Sequence, residues 1–401
     1  MTNRRNFLRG VSGGALVGTV GTGCAPPTST PKPAGRDYFA ELGLTEFINA
    51  GEPYTAFTGA LMPQQAVDAY AYAASRYVRL NDLHDAIGKK IAEMCNCEAA
   101  MVTAGAASGL TLATAACVTR GESQAVKQLP DIAGLKSEVI IQKAHRYGYE
   151  RAVLNCGVKF VEVETREQLE NAISDNTAMM LFNNTNDQAG QIRVAEFAQL
   201  GKKHNVPTLD DCAADVPPKE HLWEYLDMGF DLMTASGGKG ISGPQNAGLL
   251  LGRKDLIEAA RVNAPPNGGG IGRGMKVNKE TMLAMLVALE VFLARDHEAE
   301  WQEWERRVKL IADEVSKIDG VETEMFAPPL HYHVPHLRIQ WDEAKLGLSP
   351  DDVKKQLREG TPAIELRSSP SDRIELGVWM LKEGETETVA LRLSEIMTPS
   401  A

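Results

Sequence analysis

One lysine in this sequence stands where an amine could do covalent chemistry. Lys239 is flanked by glycines and other small residues in the stretch 234–247, and the apolar run 248–252 after it has the composition of a buried strand. Glycines let a backbone come close to a flat ligand, and small neighbours leave the amine free to reach a carbonyl carbon. The stretch predicts a Schiff-base lysine. A surface lysine in a glycine-rich turn is the alternative that it leaves open.

A second stretch has the composition of an anion-binding turn. It follows the predicted buried strand 98–103, leads into the apolar helix predicted over 112–118, and consists of Gly105, Ala106, Ala107 and Ser108. A small-residue turn between a strand and a helix aims backbone N–H groups and the positive end of the helix dipole at one point. This arrangement suits a dianionic phosphate, to which the Ser236 hydroxyl could add a hydrogen bond. A tight packing turn is the alternative.

Two further kinds of side chain suit a nitrogen heterocycle. Asp210 and Asp211 end a predicted short strand, and either carboxylate could face a protonated ring nitrogen. His145 lies at the end of another predicted strand and could lie against the face of the ring. Each also has a structural alternative, because the aspartates could cap a helix and the histidine could pack in the interior.

The four features together match the needs of pyridoxal 5′-phosphate (PLP). This cofactor requires an amine for its aldehyde, a carboxylate at its pyridine nitrogen, an anion cradle for its phosphate and a group against its ring. The cradle, the histidine, the acid and the lysine follow one another in this order along one predicted sheet. We therefore predict a PLP-dependent enzyme whose cofactor is held by Lys239.

The elements that position these residues alternate along the chain. Predicted strands and helices follow one another from residue 63 to residue 252, with helices over 63–78, over 81–94 and from after Arg146 to about residue 155. Such repeated units predict an α/β fold with a mostly parallel sheet covered on both faces. Ligands bind at the carboxyl ends of the strands in these sheets, which is where the candidate residues lie.

Length and composition set the domain organisation and exclude some functions. The 401 residues, 43% of them hydrophobic, are enough for two domains. We predict an N-terminal arm over 37–62, a large PLP-binding domain over 63–278, and an interdomain helix with a small C-terminal α+β domain over 279–401. The net charge of −11 and the pI of about 5.4 provide no broad cationic face, so nucleic acid is a poor candidate partner. The sequence predicts no transmembrane helix, because it has no run of about 18 apolar residues.

The N-terminal residues have the order of an export signal. Arg4 and Arg5 precede an apolar pair and a glycine-rich, weakly apolar segment, which is typical of a twin-arginine signal peptide over 1–23. A linker rich in Pro, Ser and Thr follows over 24–36. Twin-arginine export carries folded proteins, which suits an enzyme that takes up a cofactor before transport. We expect a periplasmic or other extracytoplasmic location, with a plain basic patch as the alternative.

Cys24 is a candidate lipidation site at the start of the mature chain. Gly21 stands three positions earlier, where such signals usually have an apolar residue, so the motif is incomplete. A single acyl chain would give reversible membrane binding. A lipid anchor at Cys24 is the one membrane contact that the sequence predicts, and the spacing of the six cysteines fits no metal site.

From about Ile48 to its C-terminus the sequence resembles the selenocysteine synthase-like group of fold-type I PLP enzymes, and within it the D-glucosaminate-6-phosphate ammonia-lyase-like branch. The segments that carry the resemblance are 48–51, 98–110, 144–146, 211–218, 236–245 and 271–280. The resemblance implies that Lys239 binds the cofactor and that Asp211, rather than Asp210, faces the pyridine nitrogen. At 52–54 and 57–60 the chain departs from the family pattern, which leaves the substrate open.

The same resemblance implies an assembly. Members of the group form a homodimer or a larger homo-oligomer with active sites at subunit interfaces, so Arg273 and Lys276 are expected to reach a neighbour's phosphate or substrate. A surface role is the alternative for each. The acidic charge and the use of the N-terminus for export argue against charged tRNA as the substrate.

The activity we expect is β-elimination on a hydroxylated amino acid. Lys239 removes the α-proton, the β-hydroxyl leaves, and hydrolysis gives a 2-keto acid and ammonia. Arg367, at the end of a predicted strand in the small domain, is the candidate partner of the substrate carboxylate, with a structural salt bridge as the alternative. Racemisation, aldol cleavage, transamination and selenium transfer are the alternative reactions. A cofactor-free binding protein of the cell envelope is the non-enzymatic alternative.

Overall fold

The computed structural model describes residues 35–398 of the chain. The predicted signal peptide over 1–23, Cys24 and most of the predicted linker lie outside these residues. The chain forms two compact units, of which the second begins at Phe47. The described part of the first unit contains the short helix α1 (Tyr38–Glu41). None of the helices between residues 35 and 398 has the length and apolarity that crossing a membrane requires.

All strands of the described chain lie in the second unit. They are β1 (Phe47–Ala50), β2 (Ala99–Thr103), β3 (Glu138–Gln142), β4 (Lys159–Val163), β5 (Thr177–Asn183), β6 (Thr208–Asp211), β7 (Leu232–Ser236), β8 (Gly248–Gly252), β9 (Val321–Phe326), β10 (His336–Trp341), β11 (Ala363–Leu366) and β12 (Ile374–Gly377). Seven of them form the central sheet in the order β2-β8-β7-β6-β5-β3-β4. Only β8 runs antiparallel to its neighbours, which confirms the predicted α/β fold with a mostly parallel sheet.

Helices cover both faces of this sheet. Those of the second unit are α2 (Gln64–Ala74), α3 (Leu80–Met94), α4 (Gly105–Thr119), α5 (Ser123–Gln128), α6 (Arg151–Leu154), α7 (Arg166–Ala172), α8 (Val194–His204), α9 (Glu224–Met228), α10 (Lys254–Asn263), α11 (Lys279–Leu293), α12 (His297–Val315), α13 (Glu343–Leu346), α14 (Pro350–Glu359) and α15 (Glu385–Met397). On one face α4 and α10 bury Leu110 and Leu256. On the other, α3, α8 and α11 bury Ile91, Phe197 and Met285.

The C-terminal part has its own core. Strands β12, β10 and β9 form an antiparallel sheet, and β1 pairs with β11 in parallel. Together with α12, α14 and α15 they bury residues such as Ile48, Leu337 and Leu393. The β1 segment of the predicted N-terminal arm therefore belongs to the C-terminal core, a relation that the sequence analysis does not anticipate. The domain boundaries at 62/63 and 278/279 stay predictions.

Three helix predictions differ from the structure. Helix α2 ends at Ala74 rather than at residue 78, where the Arg76 guanidinium donates to the Tyr72 carbonyl at 3.0 Å and closes the last turn. The helix predicted after Arg146, to about residue 155, is replaced by a 3₁₀ turn and the single-turn α6, because Gly148 interrupts the segment. Helix α4 begins at Gly105, so the predicted anion-binding turn forms its first turn.

Candidate active site

Several predicted site residues meet at one edge of the central sheet. Because β2, β6 and β7 run in the same direction, their carboxyl ends lie side by side, and a cavity of about 210 Å³ opens there. The predicted residues that line it are Gly105, Ala106, Ala107, Asp211, Ser236 and Lys239. Three larger clefts among the described residues, of about 450, 470 and 530 Å³, are lined by neither Lys239 nor Asp211. We place the site in the smaller cavity, where the lysine, the acid and a helix N-terminus converge.

Lys239 lies in a tight loop between β7 and β8. The loop is closed by hydrogen bonds from Gly243 N–H to the Gly237 carbonyl at 2.7 Å and from Ser242 N–H to the Lys239 carbonyl at 2.9 Å. A side chain at Gly238 would bring its Cβ to 2.5 Å from the Gln245 Cα, so the glycines here are required by packing. The loop fixes the lysine stem and directs its amine into the cavity.

The environment of Lys239 makes its amine easier to deprotonate than a solvent-exposed lysine. Burial lowers the pKa of Lys239, while the carboxylates of Asp211, Asp215 and Glu52 act in the opposite direction. The Nζ atom lies 5.5 Å from the centroid of the Tyr332 ring. A neutral amine is the nucleophilic form and also the form that accepts a proton, which suits both roles predicted for this residue.

The first turn of α4 is open for an anion. Its N-cap residue, Ala104, makes no side-chain hydrogen bond to the helix, so the first-turn N–H groups have no capping partner. Gly105 has a φ of +80°, and nothing lies within 4 Å of the position where its Cβ would be. The Ser108 hydroxyl donates back to the Ala104 carbonyl at 2.8 Å, and Ser108 is not among the residues that line the cavity, so the donors available to an anion are the N–H groups of Gly105, Ala106 and Ala107.

Asp211, rather than Asp210, reaches the cavity. Successive residues of β6 point to opposite faces of the sheet, and Asp211 lies on the face that carries α4. Its Oδ1 accepts the Ala213 N–H at 3.2 Å and its Oδ2 accepts the Tyr147 hydroxyl. Burial raises the pKa of Asp211, and Tyr147, Ala213 and Lys239 oppose that rise. Asp210 is fully buried on the other face, and neither of its carboxylate oxygens has a hydrogen-bond partner within residues 35–398.

The structure does not bring His145 to the cavity. The imidazole is fully buried, 4.4 Å from the Phe182 ring, and its Nδ1 accepts the Asn183 N–H at 3.3 Å. Burial lowers the pKa of His145 to about 4. A Cβ on Gly190 would come within 2.6 Å of Nε2, which shows how tightly the ring is enclosed. The geometry is that of a packing histidine, the alternative weighed for this residue, because the 3₁₀ turn after β3 directs the ring inward.

Four tyrosines that the sequence analysis does not identify lie at the site. Tyr54, Tyr149 and Tyr332 line the cavity, and Tyr147 binds Asp211. Tyr147 and Tyr149 follow His145 closely in sequence. Their position just after a predicted strand could have identified them as candidate site residues. Tyr332 gives no such signal, since it comes from a loop remote in sequence. There it adopts a φ of +59°, after a φ of +57° at His331, and its N–H donates to the Ala214 carbonyl at 2.9 Å.

The N-terminal arm lies directly on the lysine loop. Ala60 N–H donates to the Gly238 carbonyl at 2.9 Å, and Gln245 Nε2 donates to the Thr55 carbonyl at 3.0 Å. Pro53, Tyr54 and Thr55 form one wall of the cavity. The segment that departs from the family pattern is thus in contact with whatever the cavity binds.

Two predicted cationic residues lie outside the cavity. Arg367 follows β11 and Glu52 follows β1, so the pairing of these strands brings Arg367 Nε to 3.5 Å from Glu52 Oε1. Its NH1 lies 3.8 Å from Glu375 Oε2. Despite these two ion pairs, the buried Nε and NH1 atoms of Arg367 have no hydrogen-bond partner in the described chain. Arg273 is exposed on the 3₁₀ turn Ile271–Gly274.

The residues present fit PLP. The uncapped first turn of α4 can hold the phosphate, the carboxylate of Asp211 retains lone pairs for a ring N–H, and the amine of Lys239 enters the same cavity. Gly248 allows β8 to pack closely against the first turn of α4. A Cβ at this position would lie 2.6 Å from the Ala106 nitrogen and 2.4 Å from the Gly105 carbonyl carbon. The imidazole of His145 does not reach the cavity, so it cannot stack on the ring of a cofactor bound there.

Comparison with known proteins identifies the family of the chain. Residues 54–326 match the family described as L-seryl-tRNA selenium transferase. The chain is 29% identical over 379 residues to the D-glucosaminate-6-phosphate ammonia lyase of Salmonella typhimurium, covering 90% of this chain and 98% of that protein. It is 28% identical over 374 residues to a 5′-C-glycyluridine monooxygenase-decarboxylase of a Streptomyces species, covering 90% and 92%. A solved structure of D-glucosaminate-6-phosphate ammonia-lyase superposes with a TM-score of 0.79 at 28% identity, covering 90% of this chain and 98% of the other.

The fold, the convergence of lysine, acid and helix N-terminus, and the extent of these matches lead to one conclusion. The cofactor is pyridoxal 5′-phosphate, and the protein is an enzyme. The chain belongs to the L-seryl-tRNA selenium transferase family of fold-type I PLP-dependent enzymes.

Proposed function

We propose that this enzyme removes ammonia from a small hydroxylated amino acid by β-elimination and releases a 2-keto acid. The similarity to an ammonia lyase along 90% of the chain, with Lys239 and Asp211 in one cavity, is the observation that carries the proposal. Lyase chemistry needs one base at the α-carbon and an electron-accepting ring beside it. The residues that line the cavity include one amine, that of Lys239, which can act as this base.

Each residue has a task that follows from its position. The bound cofactor supplies the electron sink of the reaction. The N–H groups of the first turn of α4 hold its phosphate, and Asp211 holds a proton at the pyridine nitrogen. Lys239 takes the α-proton with its Nζ and returns a proton to the departing β-hydroxyl, which leaves as water. A second water then releases ammonia and the keto acid, so the atoms balance.

The arm and the loop around Tyr332 exclude bulk water from the reaction. Tyr54 and Tyr332 pack edge to face with their ring centroids 6.3 Å apart, both line the cavity, and Tyr332 is nearly fully buried. An apolar wall of this kind strengthens the electrostatic interactions between Lys239, Asp211 and the substrate. We propose that Arg367 binds the substrate carboxylate after a small movement of Glu52, because two of its buried donors lack partners in the described chain.

The assembly and the location belong to the same proposal. We propose a homodimer or larger homo-oligomer in which Arg273 faces a neighbouring subunit, which its exposure permits. We also propose export by the twin-arginine route, with Cys24 as a candidate lipid anchor, on the basis of the N-terminal sequence. Replacing Arg4 and Arg5 by lysine should retain the protein in the cytoplasm in a fractionation experiment. An unchanged distribution would refute the export proposal.

The decisive experiment joins covalent trapping with product analysis. Borohydride reduction of the purified enzyme, followed by peptide mass analysis, should place a pyridoxyl group on Lys239, and Lys239→Ala should lose it. Exposed Lys202→Ala serves as the matched control and should retain it. Hydroxylated amino acids are then tested for ammonia and 2-keto acid in equal amounts. Racemised amino acid without ammonia would replace the lyase by a racemase, and formation of an aldehyde would replace it by an aldolase.

A further inference from the structure

A tyrosine outside the predicted site controls the surroundings of Asp211. The hydroxyl of Tyr147 donates to Asp211 Oδ2, while the Ala213 N–H donates to Oδ1 at 3.2 Å. Tyr147 comes from the segment after β3, and β5 separates β3 from β6 in the sheet. The side chain therefore reaches across the end of a whole strand to meet the carboxylate. Both oxygens of Asp211 are engaged, and each keeps a lone pair.

The tyrosine is itself held in place. Its backbone N–H donates to Glu150 Oε2 at 3.1 Å, and Glu150 is clamped by the Arg146 guanidinium, at 2.7 Å from Nε and 2.5 Å from NH2. The side chain packs against the core that lies under α4. Because both the backbone and the ring of Tyr147 are held in place, its hydroxyl has few other positions to adopt. It can therefore orient the carboxylate of Asp211.

This contact has a definite chemical effect on Asp211. Burial favours the protonated, neutral acid, whereas a hydroxyl that donates to the carboxylate favours the charged form. Asp211 and a pyridine nitrogen share one proton between them. Any donor that stabilises the carboxylate moves this proton toward the nitrogen, and loss of the donor moves it back toward the acid.

We propose that Tyr147 is a positioning residue that keeps Asp211 ionised and aimed at the cofactor, and so keeps the pyridine nitrogen protonated. This proposal rests on the role proposed above for Asp211. It adds a residue that touches neither substrate nor cofactor and that neither the sequence motifs nor the family resemblance identifies. In effect, Tyr147 sets how strongly the cofactor can accept electrons.

The test uses the loaded enzyme and a direct probe of the nitrogen. The protein is reconstituted with PLP labelled with ¹⁵N in the ring, and the ¹⁵N chemical shift is followed over pH. Wild type should give the protonated signal at neutral pH. Tyr147→Phe, which removes only the hydroxyl, should move the signal toward the unprotonated form and weaken PLP binding by about 10-fold, the order expected for the loss of one hydrogen bond to a charged group.

Tyr225→Phe is the matched control. Tyr225 is also buried, on the opposite side of the sheet, and its hydroxyl has no hydrogen-bond partner within the described residues. This variant loses the same atom without losing a bond to Asp211, so its ¹⁵N signal and PLP affinity should match wild type. A shift of the same size in both variants would overturn the proposal, because the effect would then be general.

Two outcomes separate this proposal from the function proposed above. If Tyr147→Phe keeps the protonated signal while Asp211→Asn loses it, Tyr147 has no positioning role and Asp211 keeps its own. If Asp211→Asn also keeps the signal, the assignment of Asp211 fails. Should Tyr147→Phe not fold, 3-fluorotyrosine at this position provides a more acidic donor of similar shape. It should hold the nitrogen protonated to higher pH than wild type, and a lower value would overturn the proposal.

Discussion

Glu52 Oε1 and His336 Nε2 lie 2.5 Å apart, and both side chains are fully buried. The other oxygen of Glu52 accepts the Trp379 indole N–H at 2.8 Å, and Arg367 Nε lies 3.5 Å from Oε1. Glu52 belongs to the arm, whereas its partners belong to the C-terminal core. One carboxylate therefore fastens the arm to that core a few residues before the arm crosses to the lysine loop at Ala60.

Replacing this carboxylate should destabilise the protein strongly. Glu52→Ala leaves the buried donors of His336 and Trp379 without their acceptor and removes the ion-pair partner of Arg367, and breaking such a buried pair typically costs about 3–5 kcal/mol. The free energy of unfolding in urea measures the loss. Exposed Glu322→Ala is the control, for which a change within about 0.5 kcal/mol is expected. Equal values for the two variants would show that the buried contact adds no stability.

The hydrophobic pattern of the sequence predicts the layers of this fold. It does not predict that the N-terminal strand β1 pairs with β11 of the C-terminal part. Alternation of buried strands and helices identifies the central sheet, because periodicity is a local property of the chain. The pairing of β1 with β11 joins residues such as Ile48 and Ile364, and no local pattern specifies a partner so remote in sequence. The sequence analysis consequently treats the arm as a separate segment.

The candidate site shows the same division. Glycine spacing predicts the lysine loop and the α4 cradle, since close backbone approach requires glycine at fixed positions. Side chains alternate between the two faces of the sheet along β6, so Asp210 and Asp211 point to opposite faces. The sequence alone does not show which of these faces carries α4, and so it does not show which aspartate reaches the cavity. His145 has the right position in the chain but points inward after a 3₁₀ turn, and Tyr332 reaches the cavity from a loop with two left-handed residues.

Gly248, where β8 contacts the first turn of α4, should not tolerate replacement by a residue with a side chain. In Gly248→Ala the new Cβ would lie 2.6 Å from the Ala106 nitrogen, so the first turn of α4 must move. Overpacking of this kind costs about 1–3 kcal/mol of stability. We expect weaker PLP binding as well, measured by fluorescence titration. Gly268→Ala, where nothing lies within 4 Å of the added Cβ, should bind PLP like wild type.

Asp215 should make the cofactor-free protein less stable as the pH rises. Burial raises the pKa of Asp215 to about 7, against the Asn184 amide at 2.7 Å, with the Asp211 charge adding to the rise and Lys239 opposing it. The ordinary value is 3.8. Between these values the folded protein holds a proton that the unfolded chain has released. The stabilisation is complete below about pH 4 and is lost as the pH approaches 7.

Asp215→Asn isolates this contribution. The amide cannot titrate, so the difference in unfolding free energy between variant and wild type should change with pH, by at most about 1.4 kcal/mol per pH unit for one proton. Urea unfolding from pH 4.5 to pH 7 measures it. Because the Asp215 charge also raises the pKa of Asp210, the difference includes the change that its removal causes in that neighbouring carboxyl. A difference that stays constant over this range would contradict the raised pKa.

Arg367 allows substrate binding to be separated from structural pairing. If its guanidinium binds the substrate carboxylate, Arg367→Lys should raise KM by about 10–100-fold, because lysine keeps the charge and loses the two-pronged hydrogen bond. Arg373→Lys is the control, since Arg373 also pairs with Glu375, at 3.0 Å. Both variants should lose a similar amount of stability in urea, and only Arg367→Lys should raise KM. A loss of stability in Arg367→Lys with unchanged KM would make Arg367 a structural residue, and the carboxylate partner would then have to come from another element or another subunit.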